Sequence, residues 1–248
     1  MNNQATLEKL SQLKLYGMLA AFKASLDSKL SQNMQADELL AHLVESEWID
    51  REKRKTERYI RSAHFRYQAC IEQIDYTTQR GLDKNQLLRL VDCSYIDKKE
   101  NLLITGPTGA GKSYLASALG YQACRMGYKV RYFNTTKLFT YMTMSKADNS
   151  YLRELHKLAS TDLLIVDDFG LAPIEAHQRL MLLEIIEDRH GKQATLIASQ
   201  LPQAEWYGLF GDQTIADAIL DRLVHNAHKI VLNGESMRKR QKTTSISE

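Results

Sequence analysis

Residues 101–120, NLLITGPTGAGKSYLASALG, decide how this chain is read. Leu102-Leu103-Ile104 with β-branched Thr105 reads as a strand buried on both faces. A turn holding three glycines follows, and then a run of helix formers. Gly106-Pro107-Thr108-Gly109-Ala110-Gly111-Lys112-Ser113 satisfies G-x-x-x-x-G-K-[ST] at every fixed position. Glycine at these places lets the main chain curl so that successive N–H groups point at phosphate oxygens, where side chains would obstruct. The helix starting near Lys112 adds the positive end of its dipole. Lys112 is placed to reach β- and γ-phosphates, and the Ser113 hydroxyl to ligate Mg2+. Tyr114 is counted with this nucleotide-holding segment. The stretch implies a nucleoside triphosphate.

Four further short runs share the character of the first: residues 129–133, 163–166, 195–199 and 229–232. Stretches of helical character separate them, an alternation that predicts a parallel five-stranded α/β sheet. Run 163–166 ends in Asp167-Asp168. Carboxylates at a strand's carboxyl end project into the crevice where ligands sit. Asp167 is therefore expected to hold Mg2+ and Asp168 to polarise the attacking water. Run 195–199 ends in Ser199-Gln200, polar groups positioned to sense a γ-phosphate, and Arg222 stands just before the last run. A GTPase is disfavoured: Asp167 to Gly170 fits D-x-x-G, but no guanine-reading N-K-x-D occurs. A small-molecule kinase is disfavoured too, for want of an arginine-rich lid after the acid pair.

The front of the chain is different. From Thr6 to about Arg66 there is no proline and one glycine, Gly17. Leu7, Leu10, Tyr16, Leu19, Phe22 and Leu26 recur at helical intervals. After the polar break Ser31-Gln32-Asn33, Asp37 is expected to cap a second helix with Leu40, Leu43, Val44 and Trp48 on one face. Residues 1–66 are thus expected to form a small all-α domain and residues 67–248 the α/β domain with a basic tail. Residues 51–66 hold Arg51, Lys53, Arg54, Lys55, Arg58, Arg61 and Arg66 against Glu52 and Glu57. Several of these cations share a helical face at i, i+4, i+7, a pattern that fits an ordinary solvated face as well as a phosphate-contacting one. The formal net charge of +3 over 248 residues is too small to imply nucleic acid by itself. Cys70, Cys93 and Cys124 have no metal spacing, and with no signal peptide or membrane span the expected location is cytoplasmic.

Phosphate loop, acid pair, polar strand end and the arginine of "DRL", in this order, resemble the AAA+ ATPases. DDFG, SQLPQAEW, ILDRLVH and NGESMR resemble the IstB branch, the helper ATPases of bacterial insertion-sequence transposition, related to DnaC helicase loaders and DnaA initiators. The resemblance implies a P-loop NTPase of AAA+ type that uses ATP and Mg2+. Lys112, Ser113 and Asp167 match its nucleotide and metal positions. Gln200 stands at a sensor position usually held by Asn, and Asp168 where most AAA+ proteins have Glu. Arg222 matches the arginine finger that completes a neighbouring subunit's site, which implies a homo-oligomer. The fifteen residues after Asn233 are too few for the usual C-terminal helical lid, and Arg238 is both a stand-in for the lid's sensor arginine and part of a basic tail. Lys137 and Lys146 fall in a region that faces nucleic acid in related initiators. The resemblance further implies duplex DNA and a cognate transposase as partners. A DnaC-like loader of a replicative helicase is the alternative. Ile74 and Asp75 are the candidates for adenine contact.

Overall fold

The computed structural model describes residues 2–28, 34–76, 80–234 and 237. The polar break at residues 31–33 and Arg238 with the tail lie outside the described residues. The chain forms two compact units, Met1–Arg58 and Tyr59–Glu248.

In the first unit, α1 (Asn3–Gln12) and α2 (Tyr16–Asp27) precede the long α3 (Ala36–Ala63). The apolar spacing from Leu7 to Leu26 therefore spans two helices, because Lys14 takes φ 58° and breaks the run. Gly17 opens α2 directly against α3, where a Cβ would come within 2.6 Å of the Glu47 Cα. Buried Glu47 accepts the Gly17 and Met18 amides at 2.8 and 3.2 Å and the Arg51 guanidinium at 2.7 Å. A carboxylate thus meets the positive end of α2. Asp37 lies in the first turn of α3, not at its cap. The expected apolar face is also displaced. Leu40, Val44 and Trp48 are 60%, 52% and 60% exposed, while Leu39, Leu43, Ser46, Glu47 and Asp50 form the buried to half-buried face.

The second unit begins earlier than expected from the sequence. Ala63 is in its core, and Tyr59, Ile60 and Phe65 pack against that core, so the last turn of α3 belongs to it. Next come α4 (Lys84–Val91), α5 (Ser94–Asp97), β1 (Asn101–Thr105), α6 (Lys112–Arg125), β2 (Val130–Asn134), α7 (Thr135–Ala147) and α8 (Tyr151–Ala159). β3 (Leu163–Phe169), α9 (Ala176–Arg189), β4 (Ala194–Ser199), α10 (Tyr207–Phe210), α11 (Gln213–Val224) and β5 (Ala227–Val231) complete it. The sheet is parallel throughout, in the order β2-β3-β4-β1-β5.

The inner strands β1, β3 and β4 are apolar on both faces because helices cover both, whereas β5 at the edge buries only Ile230. Leu102 and Ile104 of β1 join a core with Leu115 and Leu119 of α6. Leu103, between them in sequence, joins the opposite core with Val166, Ile185, Ile197 and Leu223. β1 sits between β4 and β5, so its carboxyl end opens where the chain order reverses. In a sheet of this kind that is the ligand-binding edge. No helix among the described residues is long and apolar enough to cross a membrane. The three cysteines are free, and burial pushes the thiols of Cys93 and Cys124 up to about 12.

Candidate nucleotide site

The loop between β1 and α6 depends on its glycines. Gly106, Gly109 and Gly111 take φ 146°, 83° and 95°, a region that side-chain-bearing residues avoid. At Gly106 a Cβ would also collide with the Leu232 main chain, because the exit of β5 runs alongside. Gly111 is the N-cap of α6 and delivers Lys112 and Ser113 into its first turn. Lys112 is 6% exposed, and its ammonium donates to the Gly106 and Pro107 carbonyls at 2.7 and 2.9 Å. Burial lowers its pKa below the ordinary lysine value, against the attraction of Asp167 and Asp168. Thr108 donates to Gln200 Oε1 at 2.7 Å, which ties the loop to the end of β4. Ser199 in turn donates to the Phe169 carbonyl at 2.7 Å, tying β4 to β3.

The acids stand at that same edge. Asp167 is fully buried. Its Oδ2 accepts a short hydrogen bond from the Tyr132 hydroxyl and lies 3.4 Å from Arg66 Nη1. Its Oδ1 is buried with no hydrogen-bond partner among the described residues. Such an orphaned carboxylate oxygen is costly unless a ligand meets it, so the donor set fits a hard divalent cation. Asp168 takes φ 55°, and the β3–β4 register shifts between Val166 and Phe169. This bulge turns two successive carboxylates toward one guanidinium rather than to opposite faces. Asp168 Oδ2 accepts from Asn134 Nδ2 at 2.7 Å and from Arg66 Nη1 at 2.8 Å.

Sequence reasoning missed four residues here. Arg66 was counted with the basic run, and its pairing with acids a hundred positions away has no local signal. Tyr132 and Asn134 are two apart on β2, the strand period that aims both at one neighbour. Asn134 also caps α7 through its Oδ1 and the Thr136 amide at 3.0 Å, an ordinary helix start that masks its second contact. Arg80 donates to the Ala110 carbonyl at 3.3 Å and the Asp75 carbonyl at 2.7 Å. It thereby holds the segment of Ile74 and Asp75 against the phosphate loop. Tyr114 donates to Gln73 at 3.2 Å on the same side.

Arg222 is elsewhere. It donates to the Ala218 carbonyl at 2.7 Å and to Glu187 at 3.2 Å, with its side chain 27% exposed. The Asn101 side chain donates to the Arg222 carbonyl at 3.0 Å, which fixes Arg222 at the amino end of β1. The five residues of β1 set it roughly 16 Å from the loop at the other end, beyond reach of its own chain's site. Of the remaining cations, Arg51, Arg54 and Lys55 form ion pairs with Glu47, Asp50 and Glu52 at 2.7, 2.7 and 3.4 Å. Lys53, Arg58 and Arg61 are exposed on α3, and Lys137 and Lys146 on α7. Lys146 stands 4.6 Å over the Tyr151 ring.

A glycine loop after the first strand of the sheet, a buried acid ending β3 and a polar exit from β4 define a P-loop NTPase of AAA+ type. Solved structures share the fold: the DnaI structure (TM-score 0.54, 16% identity, 71% of this chain and 93% of that one) and the initiator DnaA bound to AMPPCP and single-stranded DNA (0.51, 18%, 70% and 57%). At those identities the likeness is one of fold. The family model for IstB-like ATP binding proteins matches residues 8–245, and the chain belongs to that family. An insertion sequence ATP-binding protein of Sinorhizobium fredii is 44% identical over 240 residues, covering 97% of this chain and 98% of the relative. One from Mycobacterium tuberculosis is 34% identical over 239 residues, 94% and 93%. The chain is thus an insertion-sequence-associated ATP-binding protein.

Proposed function

We propose that the protein hydrolyses ATP between adjoining protomers assembled on duplex DNA, and that the assembly recruits or activates a transposase at a target site. The observation that carries this reading is the convergence of loop, Gln200 and acid pair at one sheet edge, while Arg222 faces away from it. The residues Gly106 to Ser113 receive the phosphates, with Lys112 leaving its two loop carbonyls to meet them. Ser113 and the orphaned Asp167 Oδ1 are the protein's ligands for Mg2+, which when bound supplies charge neutralisation at the phosphates. Asp168, positioned by Asn134, accepts the proton of the attacking water. Gln200, linked to Thr108, senses the γ-phosphate, and Arg222 of one protomer stabilises the developing charge in its neighbour. An arginine supplied in trans accelerates phosphoryl transfer by about 10³–10⁵. Arg51, Lys53, Arg54, Lys55, Arg58, Arg61, Lys137 and Lys146 contact DNA phosphates, a sequence-tolerant mode.

The test is to size the full chain with and without duplex DNA and a non-hydrolysable ATP analogue. Assembly is expected only with both. A protein that stays one size in all four conditions refutes the reading. Assembly on single-stranded DNA in preference to duplex would instead favour a helicase loader.

A further inference from the structure

Arg66 stands apart from the basic run that contains it in sequence. It lies three residues past the end of α3, and its Nη1 sits 2.8 Å from Asp168 Oδ2 and 3.4 Å from Asp167 Oδ2. The backbone that presents it is anchored. His64 takes φ 58° and turns the chain out of the helix. Phe65 then wedges between α6 and the sheet: a Cβ on Gly120 would come within 2.5 Å of the Phe65 ring and 2.6 Å of Ile165 Cδ1. The Phe65 ring also meets the Tyr132 ring edge to face at 6.3 Å. The anchor is apolar and half-buried against the core, whereas the Arg66 side chain beyond it is 39% exposed. Its long flexible stem can therefore swing toward solvent without moving the main chain.

We propose that Arg66 is a cationic latch on the acid pair, competing with Mg2+ for Asp167 and Asp168, so that the metal–nucleotide complex enters only as the guanidinium leaves. The competition is electrostatic. Asp167 Oδ1 is the carboxylate oxygen left for a metal, and a dication there stands close to a guanidinium on the neighbouring oxygens. Like charges at such separation in a partly desolvated site repel strongly. Binding couplings are reciprocal: to whatever degree Arg66 weakens Mg2+, Mg2+ loosens Arg66. Tyr132 and Asn134 keep their bonds to the acids in either arrangement, since each is neutral. The long helix whose exposed cations are assigned to DNA thus ends three residues before a side chain that reports metal occupancy.

This inference rests on the ATP site proposed above, and the experiment separates the two. A fluorescent non-hydrolysable ATP analogue is bound to the full chain while Mg2+ is titrated at constant ionic strength, for wild type, Arg66→Gln and Arg66→Lys. The half-saturating Mg2+ concentration is expected to fall about tenfold in Arg66→Gln, within the range of typical site couplings, with affinity for the metal-free analogue unchanged. An unchanged or raised Mg2+ requirement overturns the latch, since it would make Arg66 a helper of the metal or a phosphate ligand. A melting curve establishes that Arg66→Gln is folded. If it is not, Arg66→Lys carries the test, because a lysine keeps the charge but loses the fork that spans both acids. A fall of a few-fold is expected there, and no fall overturns the proposal. Wild type that binds no analogue at any Mg2+ concentration removes the ATP site itself, and the latch with it.

Discussion

Thr108, in the middle of the phosphate loop, donates a 2.7 Å hydrogen bond to Gln200 at the exit of β4. The exit of β4 is therefore attached to the glycine loop between β1 and α6, and Gln200 is the residue proposed above to sense the γ-phosphate. A glutamine is one methylene longer than asparagine, and its amide oxygen engages Thr108. Gln200→Ala is expected to leave binding of a non-hydrolysable analogue within a few-fold of wild type and to slow turnover about a hundredfold. That is the order found on removing one positioned donor from a developing charge. Steady-state ATPase rates beside equilibrium binding separate the two effects.

DNA binding through exposed cations has a thermodynamic signature. Lys53 and Arg61 are exposed on α3. The double change Lys53→Ala/Arg61→Ala is expected to weaken duplex binding equally across unrelated sequences and to lower the slope of log affinity against log salt by about two. Lys55 pairs with Glu52 on the same helix, but an exposed pair of this kind contributes only about 0–1 kcal/mol and yields readily to a phosphate, whereas Arg51 is held by the buried Glu47. Fluorescence anisotropy over a salt series measures the slope, and an affinity independent of salt contradicts the electrostatic account.

Gly120 carries the packing of the segment that presents Arg66. A methyl group there would overlap the Phe65 ring and Ile165 Cδ1, so both must shift to admit it. Gly120→Ala is expected to cost about 1–3 kcal/mol despite its better helix propensity, read from urea denaturation midpoints at unchanged m-value.

The α7–α8 pair supplies a pH signature. Glu154 is buried and bonded by Lys157 at 2.7 Å, by the Tyr141 hydroxyl and by Arg153 at 3.1 Å. Lys157 and Tyr141, against the cost of burial, hold its carboxyl down from the usual 4.5 to about 2. A carboxylate with a depressed folded-state pKa stabilises the fold above its unfolded pKa and loses that contribution as the pH falls through the folded one. Glu154→Gln is therefore expected to melt below wild type at neutral pH, and the gap is expected to close between pH 4.5 and about 2. A gap that persists unchanged below that range would contradict the ion-pair origin.

The sheet was legible because its inner strands are apolar on both faces, and the phosphate loop because its glycines and lysine are spaced by chemistry rather than by packing. Asp167 and Asp168 were legible as a pair at a strand end. Their geometry was not: the bulge between Val166 and Phe169 comes from tertiary pairing with β4. The contacts that organise the acids come from Arg66 and from Tyr132 and Asn134 on β2, all distant in sequence from the acids and each with a plain local reading as surface cation, strand aromatic and helix cap. The same limit explains the front end. Leu40, Val44 and Trp48 have good helical spacing, yet the face that α3 buries is rotated toward Glu47. Local periodicity cannot foresee that a carboxylate would hold the start of α2. The unit boundary moved for a related reason, since Tyr59, Ile60 and Ala63 continue one helix while packing against another core.

Arg222 lies at the amino end of β1 and the phosphate loop at its carboxyl end, so the central claim is that each site borrows its arginine from a neighbour. The direct measurement mixes two variants on duplex DNA, Lys112→Ala, with a damaged loop and an intact arginine, and Arg222→Ala, with the reverse. Each alone is expected to hydrolyse ATP negligibly, and mixtures that co-assemble are expected to regain turnover, greatest near equal proportions. Co-assembled mixtures no more active than the two variants measured apart, or Arg222→Ala at the wild-type rate by itself, would contradict it.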